Sequence, residues 1–229
     1  MPATTRRKKN AFPLVATAAL AAAFSSVAYE LLLASYATFL LGASIFQYSL
    51  VFSLMMASMG AGAWLAEKTR QSAWEVFFKL EIAIALTAMA AVPLLYLMFA
   101  VGGPAQTLLF VFVVLLGGAL GMEVPLLNRV EKQSPWLTEI LFYDYLGGFI
   151  GGLAFPFLFL PYLGFFRLAA FLALLNALIA VAFVQRFAPQ RRSLVWVAYG
   201  TLALCVAYAF GAETLRVWME RVLFGVKTL

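Results

Sequence analysis

Four carboxylates lie within or just inside long apolar segments of this 229-residue chain: Glu30, Glu81, Glu123 and Asp144. A charged side chain at the centre of a bilayer costs at least about 2.5–3.5 kcal/mol, so such acids usually have a partner or a task. Glu30 lies deepest in its apolar segment, has no basic residue near it in sequence, and has mostly small residues on its helical face. We therefore expect Glu30 to point into a helix bundle and to be functional.

The other three acids lie within about one and a half turns of predicted helix ends, which leaves two interpretations open. In the first, they pair with Lys79, Arg129 or Lys132 and stabilise those helix ends. In the second, they surround a cavity open to the cytoplasm and hold a cation there, because carboxylates attract cations strongly where water is scarce.

Glycine-rich segments accompany two of these acids. LGGALGMEVP at 116–125 contains Glu123 and Pro125, and LGGFIGGLAFP at 146–156 follows Asp144 and ends at Pro156. Glycines allow helices to approach closely, and each proline leaves the carbonyl four residues earlier without its helical donor. We predict helix packing at Gly117, Gly121, Gly147, Gly148, Gly151 and Gly152. The alternative is a broken-helix ion or substrate site of the kind found in transporters.

The chain contains few of the side chains and motifs that enzymes use for catalysis. The chain has no histidine and one cysteine, Cys205. It also shows no phosphate-binding loop, no nucleophile paired with a base and no metal-ligand spacing. We therefore expect no catalytic residue, no cofactor and no metal site, and we expect the protein not to be an enzyme.

The elements that position these residues are long apolar helices. Of all residues 65% are apolar and 11% are charged, whereas a soluble domain carries about a quarter charged residues. The predicted fold class is all-α, a polytopic membrane bundle of about seven transmembrane helices plus a C-terminal interfacial amphipathic helix. The spans fall at roughly 11–41, 43–66, 77–101, 104–127, 139–162, 165–187 and 193–211. Residues 1–10 form a basic cytoplasmic N-terminal segment, 11–211 the bundle and 212–229 the amphipathic tail.

The basic residues predict the orientation. With the N-terminus in the cytoplasm, twelve Lys and Arg residues fall on the inner side and four on the outer side. We expect a multi-pass protein of the bacterial inner membrane with its N-terminus cytoplasmic. We expect no nucleic-acid partner, because the basic residues form short clusters between apolar runs.

An ordered series of motifs runs along the chain. Tyr29-Glu30 is followed by LGAS at 41–44, by Glu81, by GMEVPLLNR at 121–129 and by YDYLGGFIGGLAFPFLFLPYLG at 143–164. This series resembles the membrane domain of transmembrane spermidine-synthase-like proteins, a major-facilitator-like region fused to an aminopropyltransferase. The resemblance implies a multi-pass module. It matches the family's pattern at Tyr29, Glu30, Glu81, Glu123, Pro125, Asp144, Gly147, Gly151, Gly152 and Pro156.

The resemblance also shapes the expected function. In the fused family members a soluble catalytic domain with a Gly-rich loop for the aminopropyl donor follows, and no such domain is visible here. We therefore predict a non-catalytic membrane subunit or scaffold, with the lipid bilayer and membrane or membrane-associated protein subunits as partners. The alternative is a transporter or binding module for a cationic solute such as a polyamine. Its ligand would be bound by Tyr29, Glu30, Glu81, Glu123 and Asp144.

Overall fold

The computed structural model describes residues 12–42, 44–130 and 137–224, and every regular element within these ranges is helical. The α-helices are α1 (Phe12–Leu41), α2 (Ser44–Lys68), α3 (Ala73–Ala100), α4 (Ala105–Val130), α5 (Leu137–Ala154), α6 (Leu160–Phe187) and α7 (Arg192–Phe224). One π-helical turn, Phe155–Phe159, joins α5 to α6. The predicted all-α class is confirmed, and the predicted basic segment 1–10 lies outside the described residues.

Six helical runs in the described ranges are long and apolar enough to cross a membrane. The prediction was about seven, and the difference arises because α5, the π turn and α6 form a single run, Leu137–Phe187. This run bends sharply at Gly164, where φ is 64° and ψ is −178°. A positive φ suits glycine, which has no Cβ to clash with the backbone.

The long run folds back on itself at this bend. The rings of Phe159 and Phe171 lie 5.4 Å apart. Twelve residues of a straight helix would separate them by about 18 Å along its axis. The break predicted between the fifth and sixth spans therefore coincides with a reversal of the chain at Gly164.

Contacts at the helix ends show that successive passes run antiparallel. Arg129, near the end of α4, donates hydrogen bonds to the carbonyls of Ala66 and Thr69 at the end of α2. The rings of Trp74, at the start of α3, and Phe187, at the end of α6, stack 6.0 Å apart. We call this side of the bundle the basic end. It carries Lys68, Arg70, Lys79, Arg129, Arg186, Arg191 and Arg192.

The other side of the bundle, the opposite end, is aromatic. Tyr36 near the end of α1 contacts Phe165 just after the bend, with ring centroids 4.8 Å apart. Tyr96 near the end of α3 contacts Phe166 at 6.0 Å. The basic residues described there are Arg167, Arg216 and Arg221.

Large apolar side chains cover the outside of the bundle. Ile45 on α2 is 84% exposed, and Trp196 and Phe210 on α7 are 75% and 85% exposed. Water-soluble monomers rarely expose apolar surface on this scale. The exposed surface is thus compatible with membrane insertion.

The C-terminal segment continues α7 without a break at residue 211, where the amphipathic tail was predicted to begin. Ala212 and Met219 are buried in the core, so one face of this segment packs on the bundle. The location of residues 212–229 at a membrane interface stays a prediction.

Candidate functional site

A hydrogen-bonded chain of three buried polar side chains crosses the interior. The Tyr29 hydroxyl donates to Asn176 Oδ1 over 3.0 Å, and Asn176 Nδ2 donates to Glu81 Oε2 over 2.8 Å. All three residues are fully buried. Because they come from α1, α6 and α3, the chain of hydrogen bonds connects three helices.

Two carboxyl oxygens in this region have no hydrogen-bond partner among the residues that the structure describes. They are Oε1 of Glu81 and Oε1 of Glu123, and both residues are buried. A buried polar atom without a partner costs roughly 1–3 kcal/mol, and more when it is charged. Glu123 also interacts electrostatically with Glu81 and Asp144. The structure thus collects three of the predicted acids and Tyr29 in one region.

Glu123 and Asp144 line a cavity of about 370 Å³ between α1, α2, α4 and α5, which we call the acidic cavity. Glu123 is almost completely buried, and Asp144 is half-buried. The cavity lies in the half of the bundle nearer the basic end, because Glu123 precedes Arg129 by under two turns of α4. Other lining residues are Ser26, Met59, Gly121, Tyr145, Gly148 and Phe149.

Glu30 stands apart from this region. It is half-buried and is not among the residues that line the acidic cavity. Its neighbour Tyr29 takes the interior position instead, because consecutive residues on a helix point about 100° apart. Of these two neighbours, Tyr29 lies fully inside the bundle and Glu30 only partly, whereas the sequence-based expectation placed Glu30 in the interior.

Within residues 12–42, 44–130 and 137–224, the three other acids form no ion pair with the bases predicted to pair with them. Lys79 binds Glu75 at 3.1 Å, one helical turn away. Arg129 uses its guanidinium on two backbone carbonyls of the α2 end, as described above. Lys132 lies outside the described residues.

The predicted glycines of α4 lie against α2. A Cβ on Gly117 would lie 3.0 Å from the carbonyl oxygen of Met55. A Cβ on Gly121 would overlap the carbonyl oxygen of Met59. The backbones of α2 and α4 therefore lie closer together than they could if Gly117 and Gly121 were replaced by residues with a side chain.

The glycines of α5 form a similar contact with α1. Gly147 packs directly on the carbonyl oxygen of Leu20, and Gly151 packs on that of Phe24 one turn later. At both positions an added Cβ would overlap backbone atoms of α1, and these atoms cannot move aside as a side chain can. Gly147 and Gly151 thus set the distance between α1 and α5.

Gly148 and Gly152 occupy the neighbouring face of α5. An added Cβ would lie 3.3 Å and 3.5 Å, respectively, from the methyl groups of Val27. Gly148 also lines the acidic cavity, where its missing side chain leaves space.

The two predicted proline breaks differ in structure. Pro125 lies inside α4, which continues to Val130. Pro156 lies in the π-helical turn Phe155–Phe159 that joins α5 to α6. Single π-helical turns occur frequently at functional sites, and this one follows the glycine face that borders the cavity.

A second cavity, of about 400 Å³, lies at the opposite end. Its walls include Tyr36, Tyr96 and four charged residues that pair among themselves. Arg216 binds Glu220 at 2.6 Å and Glu213 at 2.5 Å, and Arg167 binds Glu213 at 3.3 Å. The sequence-based prediction missed this cavity, although the alternating charges of residues 213–221 were visible.

Asn176 is the central residue that the sequence-based prediction missed. It donates to one partner and accepts from another, and it is fully buried. The available signal was a lone carboxamide within the apolar run LALLNALIAV. An amide in such a run is costly unless it is hydrogen-bonded, so it indicates a buried partner.

Comparison with known proteins shows several curated relatives with one function. The chain is 31% identical over 226 residues to polyamine aminopropyltransferase 2 of Ralstonia nicotianae, covering 93% of this chain and 44% of the relative. It is 37% identical over 186 residues to polyamine aminopropyltransferase 2 of Streptomyces coelicolor, covering 75% of this chain and 33% of the relative. No family model and no solved structure matches.

These relatives correct the predicted function. We predicted a non-catalytic scaffold or complex subunit, with a transporter or binding module for a cationic solute as the alternative, and we expected no enzyme. These predictions are wrong, because the relatives are named as enzymes. The chain spans less than half the length of the curated relatives it matches. Over most of its own length, the chain is therefore similar to part of proteins named polyamine aminopropyltransferase.

Proposed function

We propose that this protein takes part in the transfer of an aminopropyl group to a polyamine, as the membrane-embedded portion of a polyamine aminopropyltransferase. The observation that carries the proposal is the 31% identity over 93% of the chain to a protein with that name. In this reaction an amine nitrogen of the acceptor forms a bond to the terminal carbon of the donor's aminopropyl group. The bond from that carbon to the leaving group breaks, the leaving group keeps the electron pair, and the amine releases a proton.

Membrane embedding is supported by the six apolar helical runs and by the aromatic side chains on the outside of the bundle. The run Leu137–Phe187 is 51 residues long, whereas about 20 residues cross a bilayer. With the reversal at Gly164, this run supplies two crossings, so the proposal has seven crossings in all.

The transfer activity is tested on membranes from the native host. Membranes are prepared with the gene intact, with the gene deleted and with the gene restored, and are supplied with a polyamine and an isotopically labelled aminopropyl donor. We expect the labelled product, one aminopropyl group longer than the acceptor, to form in the intact and restored membranes and to be lost from the deleted ones. Product formation is measured by mass spectrometry.

The soluble fraction of each strain serves as the control. Activity that sediments with the membranes only when the gene is present supports the proposal. Equal product formation by membranes with and without the gene would refute it.

We further propose that the basic end faces the cytoplasm of a bacterial cell and that the protein lies in the inner membrane. Seven of the ten described Lys and Arg residues lie at the basic end, and three lie at the opposite end. Cytoplasmic loops of membrane proteins carry such an excess. The source organisms of the relatives are bacteria.

Cysteine labelling tests this orientation. The single native cysteine, Cys205, is buried and is first replaced by alanine. Gln71→Cys then places a thiol on the exposed turn between α2 and α3, and Val101→Cys places one at the end of α3. In intact spheroplasts an impermeant maleimide is expected to label the cysteine at 101 at least about tenfold faster than that at 71, because the bilayer excludes charged reagents. The reverse order would contradict the orientation.

A further inference from the structure

The cavity at the opposite end, about 400 Å³ in volume, has side chains of both charges in its walls. Its described lining includes two arginines and two glutamates, Arg167, Arg216, Glu213 and Glu220. The ion pair of Arg167 uses Nε, and that of Glu220 uses Oε1. A guanidinium has five N–H donors and a carboxylate about four acceptor positions, so both side chains can bind a further group. A molecule that carries one anionic and one cationic group therefore matches these walls.

A buried hydroxyl in the same walls also points to a ligand. Tyr36 lines the cavity and is 1% exposed, and its hydroxyl has no hydrogen-bond partner among the described residues. Tyr36 also interacts electrostatically with Glu220, which places it beside the charged side chains. A buried hydroxyl without a partner is destabilising, and an acceptor on a bound molecule removes that cost. The ion pairs in the walls account for the charged side chains but not for this hydroxyl.

With the bundle embedded in a membrane as proposed, the cavity lies at the depth of the lipid headgroups. Its walls include the last turns of α1 and the bend at Gly164, where the chain reverses. Phe39 and Tyr162 in these walls are 65% and 75% exposed, so the cavity opens on the outside of the bundle. Tyrosine side chains are enriched at the headgroup level of membrane proteins. A phospholipid can therefore place its headgroup in the cavity while its acyl chains lie along the bundle.

We propose that this cavity binds the headgroup of phosphatidylethanolamine, a lipid with one phosphate and one primary ammonium group. The phosphate accepts hydrogen bonds from the terminal nitrogens of Arg167 and from the Tyr36 hydroxyl, and the ammonium group donates to Glu220. Phosphatidylglycerol brings no cation to Glu220, and the quaternary ammonium of phosphatidylcholine has no N–H donor. The proposal goes beyond the aminopropyl transfer proposed above and depends only on the embedding of the bundle in a membrane.

The site is tested by native mass spectrometry of the detergent-purified chain, incubated with equimolar phosphatidylethanolamine, phosphatidylglycerol and phosphatidylcholine. We expect the wild type to retain phosphatidylethanolamine at least about tenfold better than either of the other lipids. Arg167→Gln is expected to bind it at least about tenfold more weakly, because the phosphate loses charge-assisted hydrogen bonds. Arg221→Gln is the matched control and is expected to bind as the wild type does, since Arg221 is an arginine of the same end that is not among the described lining residues.

Tyr36→Phe separates lipid binding from the stability of the fold. It removes only the hydroxyl and is expected to weaken binding by about three- to tenfold, the effect of one neutral hydrogen bond. The lipid-free variant is expected to unfold at the same or a higher temperature than the wild type, because the unpaired hydroxyl is gone.

Two results would overturn the proposal. One is equal retention of the three lipids by the wild type, and the other is wild-type retention of phosphatidylethanolamine by both Arg167→Gln and Tyr36→Phe. Glycerophosphoethanolamine, the same headgroup without acyl chains, is added in a parallel titration and is expected to leave the bound lipid in place at equimolar concentration. Displacement of the lipid by this compound would assign the cavity to a soluble phosphoester and would refute the lipid site.

Discussion

Gly121→Ala and Gly147→Ala are each expected to destabilise the protein by about 3 kcal/mol, in the upper range for overpacking of a close-packed interior. The added Cβ at position 121 would lie 2.6 Å from the carbonyl carbon of Met59. At position 147 it would lie 2.9 Å from the carbonyl carbon of Leu20. Backbone atoms cannot change rotamer, so the helices have to separate. The midpoint of thermal unfolding in detergent should fall by roughly 6–12 °C.

Gly60→Ala is the matched control for these two substitutions. Gly60 lies on the exposed face of α2, and an added Cβ there has no atom within 4 Å. The same chemical change should leave the midpoint unchanged or raise it slightly, because alanine favours the helix by about 1 kcal/mol over glycine. An equal loss of stability in all three variants would show that helix separation is not the cause.

Helices and their close contacts were largely accessible from sequence. Apolar runs of about 20 residues predicted the helices, because a helix satisfies the backbone polar groups of such a run within the segment itself. Glycines at four-residue spacing indicated the α4 and α5 faces, and the structure places Gly121 and Gly147 against neighbouring backbones. The partner helices, α2 and α1, were not predictable, because glycine spacing marks a close contact without identifying the surface it meets.

The buried polar residues were predicted less well. Small neighbours suggested an interior position for Glu30, whereas the structure buries the adjacent Tyr29. Bases were expected to pair with acids close to them in sequence, but Arg129 donates to carbonyls 63 and 60 residues away. Helix rotation and long-range contacts are set by the packing of the whole bundle, and neither is encoded in local spacing.

The function was the least accessible part. The residue inventory shows no reaction chemistry, and a scaffold followed naturally from it. The relatives are enzymes of more than twice the matched length. More than half of each relative lies outside the matched segment, and the composition of these apolar helices carries no information about that part.

Asn176→Leu is expected to lower stability by about 3–5 kcal/mol, comparable with the loss of one partner from a buried charged pair. Asn176 is the only described hydrogen-bond partner of both the Tyr29 hydroxyl and the Glu81 carboxyl group. Leucine fills a similar volume but leaves two buried polar groups without a partner. The thermal midpoint in detergent should fall by more than about 6 °C.

Glu81→Gln separates the loss of hydrogen bonds from the loss of charge. The glutamine side-chain oxygen can still accept from Asn176 Nδ2, and no buried charge is left to be compensated. Its stability should lie within about 1 kcal/mol of the wild type, because the amide nitrogen replaces Oε1, an oxygen that has no hydrogen-bond partner among the described residues. The double variant Asn176→Leu with Glu81→Leu should recover part of the loss, since an apolar pair removes the unpaired carboxyl group. A double variant less stable than Asn176→Leu alone would mean that Glu81 stabilises the bundle through contacts other than Asn176. In that case the hydrogen-bonded chain of Tyr29, Asn176 and Glu81 would not be the unit that holds α1, α3 and α6 together.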